Sequence, residues 1–225
     1  MIGTHTRCDA WDYEDHPQRA KIGKRCRKLE KLIRARPHRF DRYGFDTRPG
    51  HRFLFAAMTP PSCPELAGGF RGSAGALEFY PVGVHGDPSV GTPAGFVAMS
   101  MSLFEEHCKD LVAAFELLTG PGAKSPSPAA LLVRFGRILC DLLEELFRIH
   151  PYANGNGHAG RLFLFVMALR HGFHTYAWHI DPRPPYGTAL VQYRNGKRSQ
   201  LEKLVIEALS GGPLSFAKSP KRSSP

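Results

Sequence analysis

Residues 150–161 read His150-Pro151-Tyr152-Ala153-Asn154-Gly155-Asn156-Gly157-His158-Ala159-Gly160-Arg161, and they interrupt two strongly apolar stretches. Before them, residues 129–149 carry Leu131, Leu132, Phe135, Ile138, Leu139, Leu142, Leu143, Leu146 and Phe147, apolar on more than one face, which predicts a central buried helix. After them, residues 162–169 (LFLFVMAL) are almost wholly apolar, so a second buried helix is expected over about 156–171, stopping at Gly172. A plain helix–turn–helix corner would need only a cap and a glycine. This one also holds two histidines, two asparagines and an arginine.

The order of these residues has physical consequences. Pro151 biases His150 away from helical backbone angles, so the first helix should end there with the imidazole projecting into the loop. Gly155 and Gly157 permit angles that other residues resist and leave the peptide N–H groups open to a ligand. The second helix then begins with N–H groups that lack intrahelical partners and carry the positive end of its dipole, which makes 155–157 a ready anion cradle. Arg161 follows one turn later, where a guanidinium fork can reach a phosphate. Histidine titrates near 6.5, so His150 suits a general base beside that phosphate.

The rest of the chain reads as mainly helical. Residues 18–35 place Ile22, Cys26, Leu29 and Ile33 at helical spacing among many lysines and arginines; the basic face is either solvated or a nucleic-acid contact. Residues 52–58 suggest a short helix or strand. Phe70-Arg71 in a Gly-rich setting leads into residues 76–82 (ALEFYPV), which have β character and suggest a small hairpin or exposed edge. Residues 96–118 form a helix with apolar positions at Leu103, Leu111, Ala114, Phe115 and Leu118, and two more helices are expected over 184–193 and 197–209. Residues 212–225 form a basic Ser/Pro-rich tail with the composition of disorder.

Composition sets outer bounds. The 225 residues suit one domain with extensions, and no apolar run approaches the ~20 residues that cross a bilayer, so no membrane partner is expected. A net charge of +10 favours an anionic partner such as a nucleotide, a nucleic acid or an acidic protein. Residues 1–9 lack the apolar core of a secretory signal, and Cys8, Cys26, Cys63, Cys108 and Cys140 are odd in number and widely spaced. Both features point to reduced thiols in a cytoplasm, with export by a specialised machine still open. His171, His174 and His179 lack a nearby cysteine or acid before Asp181, which favours packing or surface roles over a metal site.

Residues 150–161 resemble the Fic motif, H-P-F-x-[D/E]-G-N-G-R-x-x-R, of the Fic/Doc family. Phe70-Arg71 resembles the family's G-Y-R approach to its flap hairpin, and residues 186–209 resemble its closing helix pair. The resemblance implies a mainly α, Fic-like helical bundle with a small β-hairpin flap over 51–211, preceded by a basic N-terminal helical extension over 1–50. It also implies transfer of AMP from ATP to a hydroxyl side chain of a target protein aligned along the flap at about 76–82. His150 would be the general base, Asn156 with the Gly155 and Gly157 amides the anion hole, and Arg161 the grip on distal phosphates. Tyr152, at the family's phenylalanine, would anchor the loop by packing.

Two positions depart from the motif. Asn154 stands where the family holds Mg²⁺ with a carboxylate, and an uncharged amide oxygen implies weaker metal binding. His158 replaces the first arginine, which implies a weaker and more pH-sensitive grip on a triphosphate. The departures leave open a different phosphate-containing donor, a phosphotransferase, or a non-catalytic anion or nucleic-acid binding module. A motif of the family's inhibitory-helix type has no good match, which suggests a separate inhibitory protein or none.

Overall fold

The structure is a computed structural model that describes residues 8–36, 45–82, 87, 89–119, 126–173, 175, 180 and 186–210. The expected tail at 212–225 lies outside the described residues, as do His174 and His179. Seven α-helices carry the described fold: α1 (Ile22–Ala35), α2 (Arg48–Phe55), α3 (Ala94–Thr119), α4 (Pro128–Ile149), α5 (Asn156–Arg170), α6 (Tyr186–Arg194) and α7 (Ser199–Leu209). The fold is mainly α, and no helix among the described residues is long and apolar enough to cross a membrane.

Helix α4 is the axis of the packing and touches α3, α5, α6 and α7. It starts where Ser127 accepts a hydrogen bond from the Ala130 amide at 3.3 Å, with Pro128 at the first helical position where a missing N–H costs nothing. Helix α5 is buried nearly all round, including every residue from Leu162 to Ala168. Each fully buried Leu or Phe contributes about 1.5–3 kcal/mol, so this run anchors the polar turn that precedes it. The two helices meet closely because a Cβ at Gly160 would sit 2.6 Å from the Phe147 ring.

Helix α1 turns Cys26, Leu29 and Ile33 into the same core, as the spacing predicts, and leaves Lys24, Arg27, Lys28 and Lys31 exposed. Its one acid, Glu30, is buried and accepts the Ile180 amide at 2.7 Å.

Three expectations differ from the structure. Helix α3 buries Val97, Met101, Phe104, Cys108, Val112 and Phe115, while Leu103 is 56% exposed and Ala114 also faces outward. Apolar residues surround this helix, so its sequence offers more than one stripe and the packing against α4 selects one. The β segment expected over 76–82 contains no strand. Gly75–Leu77 is a single 3-10 turn, and the Glu78 and Tyr80 amides bond back to Gly75 and Leu77 carbonyls at 3.2 Å, which spends locally the donors a ladder would need. Residues 83–86, where a hairpin's return would begin, lie outside the described residues.

The third difference concerns the cysteines. Cys8 and Cys63 are joined as a disulfide, with Cα atoms 6.0 Å apart across 55 residues of sequence, so the thiols no longer argue for a reducing compartment. Cys26, Cys108 and Cys140 are free and buried. The disulfide pins residues 8–15 over α2, where Trp11 donates to the Met58 carbonyl at 2.8 Å and packs edge-on against Phe55.

Candidate active site

The turn between α4 and α5 is built from both directions. Helix α4 ends at Ile149, and His150 caps it with a left-handed backbone, φ 53° and ψ 63°. It is the one described non-glycine residue with positive φ, a conformation that costs an L-residue roughly 1–2 kcal/mol and that persists only where surroundings enforce it. The enforcing group is Arg71. Its Nε donates to the His150 carbonyl at 2.9 Å, Nη2 to Thr92 and Ile149 carbonyls at 2.7 and 3.2 Å, and its own amide to the Pro151 carbonyl at 2.9 Å. Arg71 is 1% exposed, and burial lowers its pKa to about 10, so it stays cationic at neutral pH.

The imidazole of His150 is partly buried and opens on a cleft of about 700 Å³. Burial lowers its pKa to about 4; the Phe147 carbonyl opposes this, and the charge of Arg71 adds to it. The Phe147 carbonyl can only accept, so the 3.4 Å contact with Nδ1 places the proton on Nδ1 and leaves the Nε2 lone pair available. The cleft is therefore faced by a neutral base.

Helix α2 holds the middle of the turn. Tyr152 is fully buried, as a packing anchor should be; its hydroxyl meets Thr47 Oγ1 at 2.7 Å and its ring stacks on His51 at 3.9 Å. Burial, opposed by the Thr47 contact, pushes the phenol pKa well up. His51 receives the Gly68 amide on Nδ1 at 3.0 Å, so Nε2 carries the proton and donates to the Asn154 carbonyl at 2.8 Å. Burial lowers this imidazole's pKa to about 3.

The predicted anion hole is rearranged. Asn156 does not aim its side chain into the cleft: Oδ1 accepts the Tyr152 amide at 2.9 Å and Nδ2 donates to the Tyr152 carbonyl at 2.8 Å, which staples the loop. The Gly155 amide is also occupied, by Asn154 Oδ1 at 2.6 Å. What the cleft receives from the helix end is the Asn156 and Gly157 main-chain N–H groups, which have no protein partner among the described residues. Gly155 itself, at φ 77°, cannot carry a Cβ, which would stand 2.5 Å from the Phe55 ring.

Arg161 is 2% exposed and lines the cleft. Its fork is oriented by the Ile180 carbonyl on Nε at 2.6 Å and the Tyr186 hydroxyl on Nη1 at 2.8 Å, and that hydroxyl donates in turn to the Gly157 carbonyl at 3.2 Å. His158, expected beside a phosphate, is 3% exposed and sits edge-on between Tyr13 and Phe55. Its role in this packing is a wall between two clefts, since it also lines a second one of about 540 Å³ beside Arg19 and Arg27. The far rim is set by Arg194, which binds Glu144 at 2.7 Å, Ser89 at 3.1 Å and the Asp87 carboxylate.

Mg²⁺ fits this arrangement poorly. Asn154, the residue expected to offer it an oxygen, has that oxygen on the Gly155 amide and its Nδ2 on Asp12 at 2.9 Å. Among the described residues, no group of three or more His, Cys, Asp or Glu side chains is placed to hold a metal ion. His171 packs against Phe115 and Phe135.

Sequence reasoning singled out His150, Asn154, Gly155, Asn156, Gly157, His158 and Arg161, and all seven line this one cleft. It missed Asp12, Tyr13, Thr47, His51 and Tyr186, none of which lies in the motif. Arg71 was legible only through its resemblance to the G-Y-R pattern.

No protein-family model matches this sequence, and no solved structure matches this chain. A stretch of 73 residues, 31% of the chain, is 34% identical to a protein named uridine 5'-monophosphate transferase from Xanthomonas campestris pv. campestris (strain 8004). The match spans 12% of that protein's length.

Proposed function

We propose that this cleft is the active site of a Fic-type protein nucleotidyltransferase that moves AMP from ATP to a hydroxyl side chain of a target protein. The observation that carries the reading is the convergence of His150, the open Asn156 and Gly157 amides and Arg161 on one cleft. In the reaction, the acceptor hydroxyl passes its proton to His150 Nε2 as its oxygen bonds to the α-phosphorus. The bond from that phosphorus to the bridging oxygen breaks, and pyrophosphate leaves. The helix-end amides and the Arg161 guanidinium offset the charge that develops on the phosphoryl oxygens, a stabilisation that fixed dipoles supply without reorganising. A bound polyphosphate, being anionic, raises the basicity of His150 from its low resting value as the donor arrives.

The similarity of one segment to a protein named as a uridine 5'-monophosphate transferase favours a second reading, UMP transfer from UTP in the same pocket. Incubating the full chain with α-phosphate-labelled ATP and UTP, alone and with cell lysate, separates the two. Covalent label from ATP supports the first reading, and a dominant label from UTP the second. Either label must vanish in His150→Ala. Absence of covalent transfer from ATP, CTP, GTP and UTP alike sinks the enzyme.

A further inference from the structure

Asn154 stands between two partners of opposite character. Its Nδ2 donates to Asp12 Oδ1 at 2.9 Å, and its Oδ1 accepts the Gly155 amide at 2.6 Å. A carboxylate accepts and a main-chain N–H donates, so these partners fix which end of the amide is which. Asp12 Oδ1 also receives the Glu14 amide at 2.8 Å and so caps the 3-10 turn Tyr13–Asp15. With His51 on the Asn154 carbonyl, one residue ties the N-terminal turn, α2 and the first residue before α5 into a single unit.

A small divalent cation needs near-octahedral oxygen ligands at about 2.0–2.1 Å. The oxygen available at residue 154 is turned to a peptide N–H, and Asp12 is not among the residues that line the cleft. A carboxylate at residue 154 would meet the Asp12 carboxylate where a hydrogen bond now runs. Two such anions stay together only around a cation or a shared proton. The amide is the side chain that complements Asp12 without either.

We propose that Asn154 is a neutral strut instead of a metal ligand: the chain Asp12–Asn154–Gly155 holds the phosphate cradle in shape by itself, with Asp12 as its positioning residue and no divalent cation in the site. The corollary that a nucleotide binds here without Mg²⁺ rests on the nucleotidyl-transfer reading; the strut does not.

Titrating the full chain with Mn²⁺ and following the free-ion electron paramagnetic resonance signal tests the strut directly. The wild type should leave the signal undiminished, Asn154→Asp should bind Mn²⁺ at least about tenfold more tightly, and Asp12→Asn added to Asn154→Asp should abolish the gain. Binding by the wild type that Asp12→Asn removes, or no gain in a folded Asn154→Asp protein, overturns the proposal. Should Asn154→Asp fail to fold, hydrogen exchange at the Gly155 amide decides: Asp12→Ala should speed it about tenfold or more, and Asp12→Asn, which keeps an acceptor, should restore it. Unchanged exchange in Asp12→Ala also overturns the strut. Calorimetry with ATP in EDTA and in Mg²⁺ tests the corollary, with equal affinity expected and a tightening of about tenfold by Mg²⁺ counting against it. ATP binding in neither buffer would sink the nucleotide reading while the Mn²⁺ and exchange results still judge the strut.

Discussion

The guanidinium of Arg71 donates through Nε to the main-chain carbonyl of His150 at 2.9 Å, across 79 residues of sequence. One buried cation thereby fixes the backbone of the candidate base and contributes to keeping its imidazole neutral. Replacing Arg71 by lysine preserves the charge but not the fork, and it strands the carbonyl of Thr92 or of His150. Urea denaturation should show a loss of about 2–3 kcal/mol. Stability within experimental error of the wild type would show that the fork is not the clamp.

His150 occupies a left-handed position that glycine adopts freely, directly after a helix end where glycine is the favoured residue. His150→Gly should therefore raise stability by about 1 kcal/mol, because it relieves the backbone cost and removes a desolvated imidazole. The same change should eliminate covalent nucleotide transfer. Chemical denaturation read beside a labelling assay checks both halves, and a destabilised variant would mean that the ring's packing outweighs the strain.

Stability should fall on acidification from neutral pH. His51 has a folded pKa of about 3, below its ordinary 6.5, so between those values the unfolded chain binds a proton that the folded chain refuses. Its contribution is complete above about 6.5 and shrinks by about 1.4 kcal/mol for each pH unit below that, until the folded pKa is reached. His150, at about 4, acts in the same direction. The unfolding free energy measured from pH 7.5 to 5 should fall with the two contributions added, about 2.8 kcal/mol per pH unit below about 6.5, and His51→Asn should leave about half of that slope.

Two glycines that line the cleft should respond oppositely to alanine. A Cβ at Gly155 meets the Phe55 ring at 2.5 Å on a backbone of φ 77°, whereas nothing stands within 4 Å of one at Gly187. Gly155→Ala should cost about 3 kcal/mol. Gly187→Ala, in α6, should be neutral or stabilising by up to about 1 kcal/mol. Thermal melts of the two variants provide the comparison, and equal shifts would contradict the packing around the α5 cap.

Local chemistry determined the α4–turn–α5 unit. Pro151 and two glycines punctuate a helical apolar pattern, and those constraints act within a few residues, so the sequence alone placed a histidine, a helix end and an arginine beside one another. It could not say where the side chain of Asn154 points. An amide has a donor and an acceptor end, and its orientation depends on what arrives to meet it; Asp12 comes from 142 residues away. The same holds for the buried stripe of α3 and for the pairing of Cys8 with Cys63. Each is decided by contacts between distant segments, which leave no trace in the spacing of neighbours along the chain.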